Sequence, residues 1–558
     1  MESIAENLKK LIRRALENGF EKGYLERFPV PPVELEVPKL SAHGDFATNI
    51  AMTMAGLQKR PPQEVAQAIL KAIDDTDHLI ARSEIAGPGF INFFINNQYW
   101  HNILKQIYTA DRTCGCSDIG RGRKIQIEFV SANPTGPLHI GHGRGAAVGD
   151  TLSNILRASG YEVEKEYYIN DSGRQIRTLG LSVFFRYREI DGEQIDFPVD
   201  CYQGDYIREI AQAVAEKEGR RLLEVSQEEA VAFCAKFAAS AILQGIKQDL
   251  TDFGVMFDHW FSEQSLFDTG AVDETLRNFR KQGIIYEKDG ALWFRTTDFG
   301  DEKDRVVVRA NGMTTYFASD IAYHQDKLRR RFDQIIDIWG ADHHGYLPRI
   351  RACVEAMGFE KSKLKVILIQ LVNLFRSGNP VAMSTRSGEF VTLRAVIDEV
   401  GRDAARFIFL TRRPESPLDF DLEVAKRQSD DNPVYYVQYV HARISSIIRK
   451  GFADGIRLPS SGDFVDLTQL REPEELALIK CMEHFPVVVA ESAALMEPHR
   501  IPFYLAELAA LFHSYYNKHR VLTNERALTV ARLYMVSAVR IIIRNGLQLM
   551  GVSAPESM

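Results

Sequence analysis

The sequence predicts a multidomain α/β protein: a doubly wound parallel sheet in the middle, an α+β domain before it and an all-α domain after it. Two observations predict this class. Residues 124–169 follow a strand–loop–helix–strand order, which begins a doubly wound sheet. From about residue 431 the apolar pattern is helical to the end. The 558 residues leave room for three or four domains of about 150 residues.

The N-terminal domain is predicted to span residues 1–112. Apolar residues between 4 and 16 share one helical stripe, and Gly19 with a proline cluster at 29–32 is expected to end that helix. A short polar segment that contains glycine closes the domain near residues 111–123. The other predicted elements are a half-buried strand at 33–37, a helix at 62–73 and a turn leading into a strand at 85–95.

The central domain is predicted to span residues 113–430. A strand at 124–130, a helix at 144–159 and a strand at 163–169 indicate a Rossmann-type sheet. Residues from about 178 to 262 are largely helical and interrupt the alternation, so we interpret them as an insertion. Further strands are predicted at 291–295, 305–309, 334–339 and 365–372.

The all-α domain is predicted to span residues 431–558, and it carries a local basic excess. The whole chain has a formal net charge of −7, which excludes only a uniformly basic protein. Residues 515–550 contain six Lys or Arg and one acidic residue. Three of these, Arg532, Arg540 and Arg544, recur at multiples of four and so stay near one helix face. This stripe predicts contacts with nucleic-acid phosphates, and a solvated basic face is the alternative.

Composition also bounds the compartment and the metal chemistry. None of the six cysteines has the two-residue gap of a zinc ribbon, so no structural metal is expected. The amino-terminal segment lacks the apolar core of a signal peptide, and no run approaches the roughly 20 apolar residues that span a bilayer. We therefore expect a cytoplasmic protein with no membrane contact.

A loop between the first central strand and the next helix is the most informative segment. It reads SANPTGPLHIGHGRG at residues 131–145. Its glycines let the backbone approach a phosphate, and the helix N-terminus attracts negative charge. His139 and His142 can both donate to triphosphate oxygens as charge builds during displacement at the α-phosphorus. The alternative is the dinucleotide-binding loop of an oxidoreductase, but the final glycine of that motif would fall on Ala146.

With these residues in view, the chain resembles a known family. Residues 132–142 resemble the "HIGH" signature of class I aminoacyl-tRNA synthetases, and residues 128–137 resemble the arginyl-tRNA synthetase version. The resemblance covers nearly the whole chain. It implies a monomeric ligase that uses ATP, as a magnesium complex, to join L-arginine to tRNA(Arg) through arginyl-adenylate. Other matching stretches are residues 41–49 and 87–92 (the family's N-terminal domain), 170–175 (its second-strand motif) and the C-terminal part (its helical anticodon-binding domain).

The resemblance also implies site residues. For catalysis these are His139, Gly141 and His142. For arginine they are Glu128, Ser131, Asn133, Tyr316, Asp320, Asp342 and His343. For ATP they are Ala132, Pro134, Thr135, Gly136, Pro137, Leu138 and Ile140.

The arginine side chain itself demands carboxylates. A guanidinium never deprotonates and presents a planar fork of donors, so a buried Asp or Glu can grip it where lysine or a neutral isostere fits poorly. Tyr316 and Asp320 match the family's guanidinium-side pair, and an ordinary helix turn with a solvated Asp is the alternative. The run Asp342-His343-His344 suggests a metal at first glance, but three adjacent residues rarely converge on one ion, so no metal is predicted.

The second signature loop of class I synthetases departs from its usual form. The matching residues are Met383, Ser384, Thr385 and Arg386, and both usual lysines are replaced, by Ala382 and Thr385. Those lysines neutralise charge on the leaving pyrophosphate. Arg386, and Lys124 before the first loop, are the predicted substitutes. A non-catalytic, tRNA-binding paralogue that has lost its lysines is the alternative.

Overall fold

The computed structural model describes residues 3–381, 391–460 and 462–558. The N-terminal part is a three-stranded antiparallel sheet of order β1-β3-β2 packed with helices. Its elements are α1 Ile4–Glu21, β1 Phe46–Thr48, α2 Ile50–Gln58, α3 Pro62–Ala72, β2 Ile80–Ala86, β3 Phe90–Ile95 and α4 Asn97–Ala110.

Two N-terminal predictions differ from the structure. Helix α1 continues past Gly19 to Glu21, because this glycine serves packing: a Cβ on it would lie 2.9 Å from Leu25. The predicted strand at 33–37 makes only a single bridge, between Glu36 and Ala47. Alternation predicts which faces are buried, but a strand also needs a neighbour with free backbone groups along its length.

The centre of the molecule is a five-stranded parallel sheet of order β11-β10-β4-β5-β6, as predicted for the fold class. The chain runs outward from β4 through β5 to β6, then returns to the other side of β4 as β10 and β11. The point between β4 and β10 is therefore a topological switch point, where ligands bind at the carboxyl edge of such sheets. The strands are β4 Lys124–Glu128, β5 Glu162–Ile169, β6 His259–Ser262, β10 Gln334–Gly340 and β11 Leu364–Ile369.

The predicted insertion ends earlier than expected. Residues 259–262 form β6, which pairs in parallel with β5, so only the helices before it leave the sheet. A four-residue strand after a long helix gives too short a pattern to be recognised. The inserted helices are α6 Gly173–Ile190, α7 Asp205–Glu218 and α8 Gln227–Asp252.

Within the described residues, α8 is the helix long and apolar enough to cross a membrane by length and composition. It packs tightly on α6, since a Cβ on Gly180 would lie 2.4 Å from the carbonyl oxygen of Val231. The core helix of a soluble protein passes the same test of length and composition, so α8 is weak evidence for a membrane.

The rest of the central part adds two small sheets and their helices. The order is β7-β8-β9 in one sheet and β13-β12-β14 in the other. The elements are α9 Gln264–Asp268, α10 Ala271–Lys281, β7 Ile285–Lys288, β8 Ala291–Phe294, β9 Arg305–Val308, α11 Tyr316–Arg329, α12 Leu347–Ala356, β12 Val372–Arg376, β13 Asn379–Pro380, α13 Leu393–Val400, α14 Arg402–Phe409, β14 Leu418–Asp421 and α15 Leu422–Lys426.

The C-terminal part is helical, as predicted, and is anchored to the central sheet through a buried arginine. The guanidinium of Arg406 donates to the carbonyl oxygen of Met550 at 2.7 Å and pairs with Asp150 at 2.5 Å. Asp150 also binds Lys165 at 3.0 Å, so one buried carboxylate joins the sheet, α14 and the chain terminus. The helices are α16 Pro433–Ala453, α17 Pro473–Leu495, α18 Arg500–Lys518 and α19 Arg526–Leu549; α5, in the central part, is Ile140–Ala158.

Candidate active site

A strained turn follows β4 at the switch point. Val130 and Ser131 both have left-handed backbone, with φ of 68° and 41°, which is unfavourable for a β-branched valine. The hydroxyl of Ser131 holds the turn: it donates to Glu128 at 2.8 Å and accepts the backbone N–H of Tyr168 at 3.1 Å. The turn therefore fixes the Glu128 carboxylate at the carboxyl edge of the sheet.

The two histidines of the loop form a capping box at the start of α5. Nδ1 of His139 accepts the backbone N–H of Gly141 at 3.1 Å, and Nδ1 of His142 accepts the backbone N–H of His139 at 3.3 Å. The two rings stack with centroids 3.6 Å apart. Because Nδ1 is an acceptor in both rings, each neutral imidazole carries its proton on Nε2.

Burial keeps both imidazoles neutral. It lowers the pKa of His139, an effect that the Asp342 carboxylate partly opposes. Burial, with a smaller contribution from His139, lowers the pKa of His142 to about 3. At neutral pH the pair therefore acts through two Nε2–H donors at a helix N-terminus, an arrangement suited to stabilising charge on phosphate oxygens.

The loop that precedes the histidines is held by neighbouring strands and by the insertion. The carbonyl oxygens of Ala132 and Thr135 accept the hydroxyls of Tyr167 and Tyr206, both at 2.8 Å. Asn133 donates to Gln175 on α6 at 2.7 Å. Among the predicted ATP residues, Pro134, Leu138 and Ile140 are buried and pack inward, whereas Thr135, Gly136 and Pro137 are partly exposed. The structure thus brings this predicted group together on one loop.

The second signature loop lies outside the described residues, so Met383, Ser384, Thr385 and Arg386 have no described position. The segment that follows it is bonded to the first loop. Leu393 donates its backbone N–H to Leu138 at 2.7 Å, and Ile140 donates to Val391 at 3.2 Å. The segment from Val391 to Leu393 therefore contacts the first signature loop.

The predicted guanidinium side lies at the start of α11. Asp320 accepts a hydrogen bond from the hydroxyl of Tyr346, and within the described residues no basic side chain pairs with it. Burial raises the pKa of Asp320 to about 6. Tyr316 lies one turn earlier and is 54% exposed. A half-buried carboxylate with a neutral donor and no cation is suited to binding a cationic ligand.

Asp342 and His343 lie on the turn after β10, next to the histidine pair. Both are exposed, and the nearest atoms of the two side chains are 3.6 Å apart. In the described part of the chain, the group with metal-ligand spacing is Glu472, Glu474 and His519, far along the sequence, where Glu474 is already bonded to His519 and Lys518.

Two predicted contacts need correction. Lys124 begins β4, whereas Glu128 ends it, so Lys124 lies at the opposite edge of the sheet, about 13 Å away at 3.3 Å per residue. It pairs with Glu162 instead, and its assignment to ATP is wrong. Arg532 is buried and bonded to Glu475 at 2.7 Å, so it cannot contact phosphates in this fold.

The other two arginines of the basic stripe are partly exposed. Arg544 reaches across to Asp111 at 2.6 Å, and Arg540 lies 3.5 Å from the hydroxyl of Ser445. The neighbouring tyrosines differ in exposure. Tyr515 is buried in the core, whereas Tyr439 and Tyr516 are partly exposed beneath the guanidinium of Arg443.

A buried ionic network, which the sequence did not predict, lies beneath the residues predicted to bind the substrate arginine. Lys327 is fully buried between Glu128 and Asp337, and it bonds Asp337 at 2.7 Å. Next to it, the hydroxyl oxygen of Tyr323 lies 3.0 Å from a carboxylate oxygen of Glu128 and 2.5 Å from one of Glu166. The signal was present, because positions 320, 324 and 327 of α11 share one helix face.

Comparison with known proteins decides the family. Family models match residues 6–95 (arginyl tRNA synthetase N terminal domain), 104–416 (tRNA synthetases class I (R), catalytic domain) and 437–558 (DALR anticodon binding domain). The arginine–tRNA ligases of Desulfosudis oleivorans and Citrifermentans bemidjiense are each 56% identical over 556 residues, covering 100% of both chains. The chain belongs to the arginine–tRNA ligase family.

The solved structures agree on the fold. Thermus thermophilus arginyl-tRNA synthetase has a TM-score of 0.74 at 23% identity over 99% of both chains. Arginyl-tRNA synthetase from Plasmodium falciparum has a TM-score of 0.71 at 14% identity over 100% of both.

The predicted family and activity are confirmed by the relatives. The protein is a class I aminoacyl-tRNA synthetase, a ligase that charges tRNA(Arg) with arginine and uses ATP as a substrate. Neither the oxidoreductase alternative nor the non-catalytic paralogue is favoured.

Proposed function

We propose that the carboxyl edge of the central sheet forms arginyl-adenylate from L-arginine and ATP bound as its magnesium complex. An arginine carboxylate oxygen attacks the α-phosphorus, the new P–O bond forms, and the bond to the leaving pyrophosphate breaks. The arginyl group then passes to the terminal ribose of the tRNA and AMP leaves. The neutral His139–His142 pair at the N-terminus of α5 is the observation that carries this proposal.

In this mechanism the histidines act on developing charge. The two Nε2–H donors face oxygens that become more negative as the α-phosphorus is attacked, so they bind the transition state better than bound ATP. Neutral donors suit this role because they donate at any physiological pH without exchanging a proton. Holding the two substrates in line supplies much of the remaining reduction in the barrier.

The arginine is gripped at both ends. Glu128, Ser131 and Asn133 bind the amino-acid end at the turn after β4, and Tyr316 and Asp320 bind the guanidinium at the start of α11. Asp342 and His343 close the pocket near the phosphates. The second signature loop, residues 383–386, closes over the triphosphate, and Arg386 is the local cation there.

Substrate choice is tested by charging total tRNA with each of the twenty amino acids in turn; arginine alone should give product. Pyrophosphate exchange with and without tRNA tests the reaction order. We expect exchange only when tRNA is bound, as the family implies, and equal exchange without tRNA would contradict this. If the His142→Ala enzyme still binds arginine but catalyses pyrophosphate exchange slowly, the histidine pair acts in the chemical step.

The anticodon-binding part, residues 431–558, and the N-terminal part, residues 1–112, are proposed to hold the tRNA body around the catalytic part, residues 113–430. Arg540 and Arg544 are the remaining predicted phosphate contacts. Affinity for tRNA should fall with salt, with a slope set by these local contacts and not by the total charge of −7. We further propose that the protein is cytoplasmic and monomeric. Sedimentation of the purified protein tests whether it is a monomer.

A further inference from the structure

The two residues proposed to grip the ends of arginine, Glu128 and Asp320, are joined beneath the pocket by one buried chain of contacts. It runs from Glu128 to Lys327, then to Asp337 and His324, and ends at Asp320. Lys327 bonds Glu128 and lies 2.7 Å from Asp337. His324 lies 3.1 Å from Asp337 and 2.8 Å from the backbone carbonyl of Asp320.

The ring of His324 links Asp337 to the backbone of α11. Its Nδ1 lies against a carbonyl oxygen and its Nε2 against a carboxylate oxygen. Lys327 and His324 hold the pKa of Asp337 below its usual range.

Each buried carboxylate of the network has a basic partner, which explains how the network tolerates burial. The buried carboxylates of Glu128 and Asp337 contact Lys327, and Asp337 also contacts His324. The carboxylate of Glu166 accepts from the guanidinium of Arg330 at 2.5 and 2.9 Å. Removing a single partner would leave an uncompensated buried charge.

We infer that Lys327 and His324 are positioning residues that hold Glu128 and Asp320, and thereby set the two ends of the arginine pocket. Neither touches the substrate. Lys327 holds the Glu128 carboxylate at the carboxyl edge of the sheet, whereas His324 fixes the second turn of α11 through the Asp320 carbonyl. The inference rests on the proposed roles of Glu128 and Asp320.

Two ligands test the two ends of the arginine pocket separately. One is L-arginine, and the other is desamino-arginine, which keeps the guanidinium and carboxylate but lacks the α-ammonium. The principal variant is Lys327→Met, which removes the cation that bonds Glu128 and leaves the contact between Asp337 and His324 in place. We expect the arginine Kd, measured by calorimetry at pH 7, to rise about tenfold to a hundredfold, as for loss of a charged hydrogen bond. The Kd of desamino-arginine should change by less than about twofold, because that ligand has nothing for Glu128 to bind.

The comparison of the two ligands separates positioning from general damage. Equal loss of affinity for both ligands in Lys327→Met would overturn the role of Lys327.

His324→Gln provides a second test that does not depend on the first variant folding. It should weaken arginine and desamino-arginine equally, because both carry the guanidinium that Asp320 binds; no loss in either would overturn the role of His324. Lys426→Met is the matched control, since Lys426 also bridges two carboxylates, Glu399 at 3.1 Å and Glu423 at 2.7 Å, away from the site. Glu128→Gln tests the proposed role of Glu128 separately from that of Lys327. If it weakens arginine and desamino-arginine to the same extent, the proposed role of Glu128 is wrong, whatever the result for Lys327.

Discussion

Replacing Asp320 by asparagine should weaken arginine binding and stabilise the free enzyme. The substitution keeps the shape of the side chain but removes the charge that pairs with the guanidinium. Breaking a buried charge pair by removing one partner costs about 3–5 kcal/mol. At 1.36 kcal/mol per tenfold, the KM for arginine should rise by about two to four orders of magnitude.

The same change should stabilise the free enzyme. Burial raises the pKa of Asp320 to about 6 from the ordinary 3.8. Ionising this side chain therefore costs about 3 kcal/mol more in the folded protein than in the unfolded chain. Because the folded pKa is raised, the folded state holds this proton more tightly, and stability falls as pH rises from about 4 to 6. Above pH 6 the destabilisation is fully present, so Asp320→Asn should raise the free energy of unfolding there by about 1–3 kcal/mol.

Steady-state charging kinetics and urea unfolding at pH 5 and pH 8 measure both effects. Asp431→Asn is the control, because its side chain is 66% exposed on the segment before α16 and should alter arginine KM by less than about fivefold. The wild-type KM for arginine should also rise about tenfold per pH unit below pH 6, as Asp320 takes up a proton. An Asp320→Asn enzyme whose arginine KM stays within threefold of wild type would refute the assignment.

Three further outcomes follow from the same geometry. His142→Ala should lower kcat by about a hundredfold with little change in arginine KM, as for loss of one oxyanion donor, and intact turnover in a charging assay would reject its role. Lys124→Met should leave ATP KM within about twofold, since the side chain lies at the far edge of the sheet; a larger rise would return it to the site. Arg406→Met should lower the free energy of unfolding by about 3–5 kcal/mol in urea titrations, because Asp150 loses a buried partner, and an unchanged midpoint would contradict that ion pair's structural role.

Local pattern determined much of this protein. The strand–loop–helix order predicted the parallel sheet, and the glycine and histidine spacing at residues 139–143 predicted a phosphate-binding helix start. These features depend on neighbours in sequence, since helix caps and turns are made by residues a few positions apart. The pair Tyr316 and Asp320 came from the family resemblance and not from the helical pattern.

The tertiary structure decided what distant segments do to one another. The order of the parallel strands placed the switch point at the Glu128 end of β4 and so left Lys124, at the other end, away from the site. Only packing buried Arg532 against Glu475. The raised pKa of Asp320 likewise arises from elements far apart in the chain. Periodicity tells which face of an element is buried, but burial of a charge depends on which other element covers it. The sequence therefore determined the chemical groups of the site, and the fold decided their charge, their tautomer and their partners.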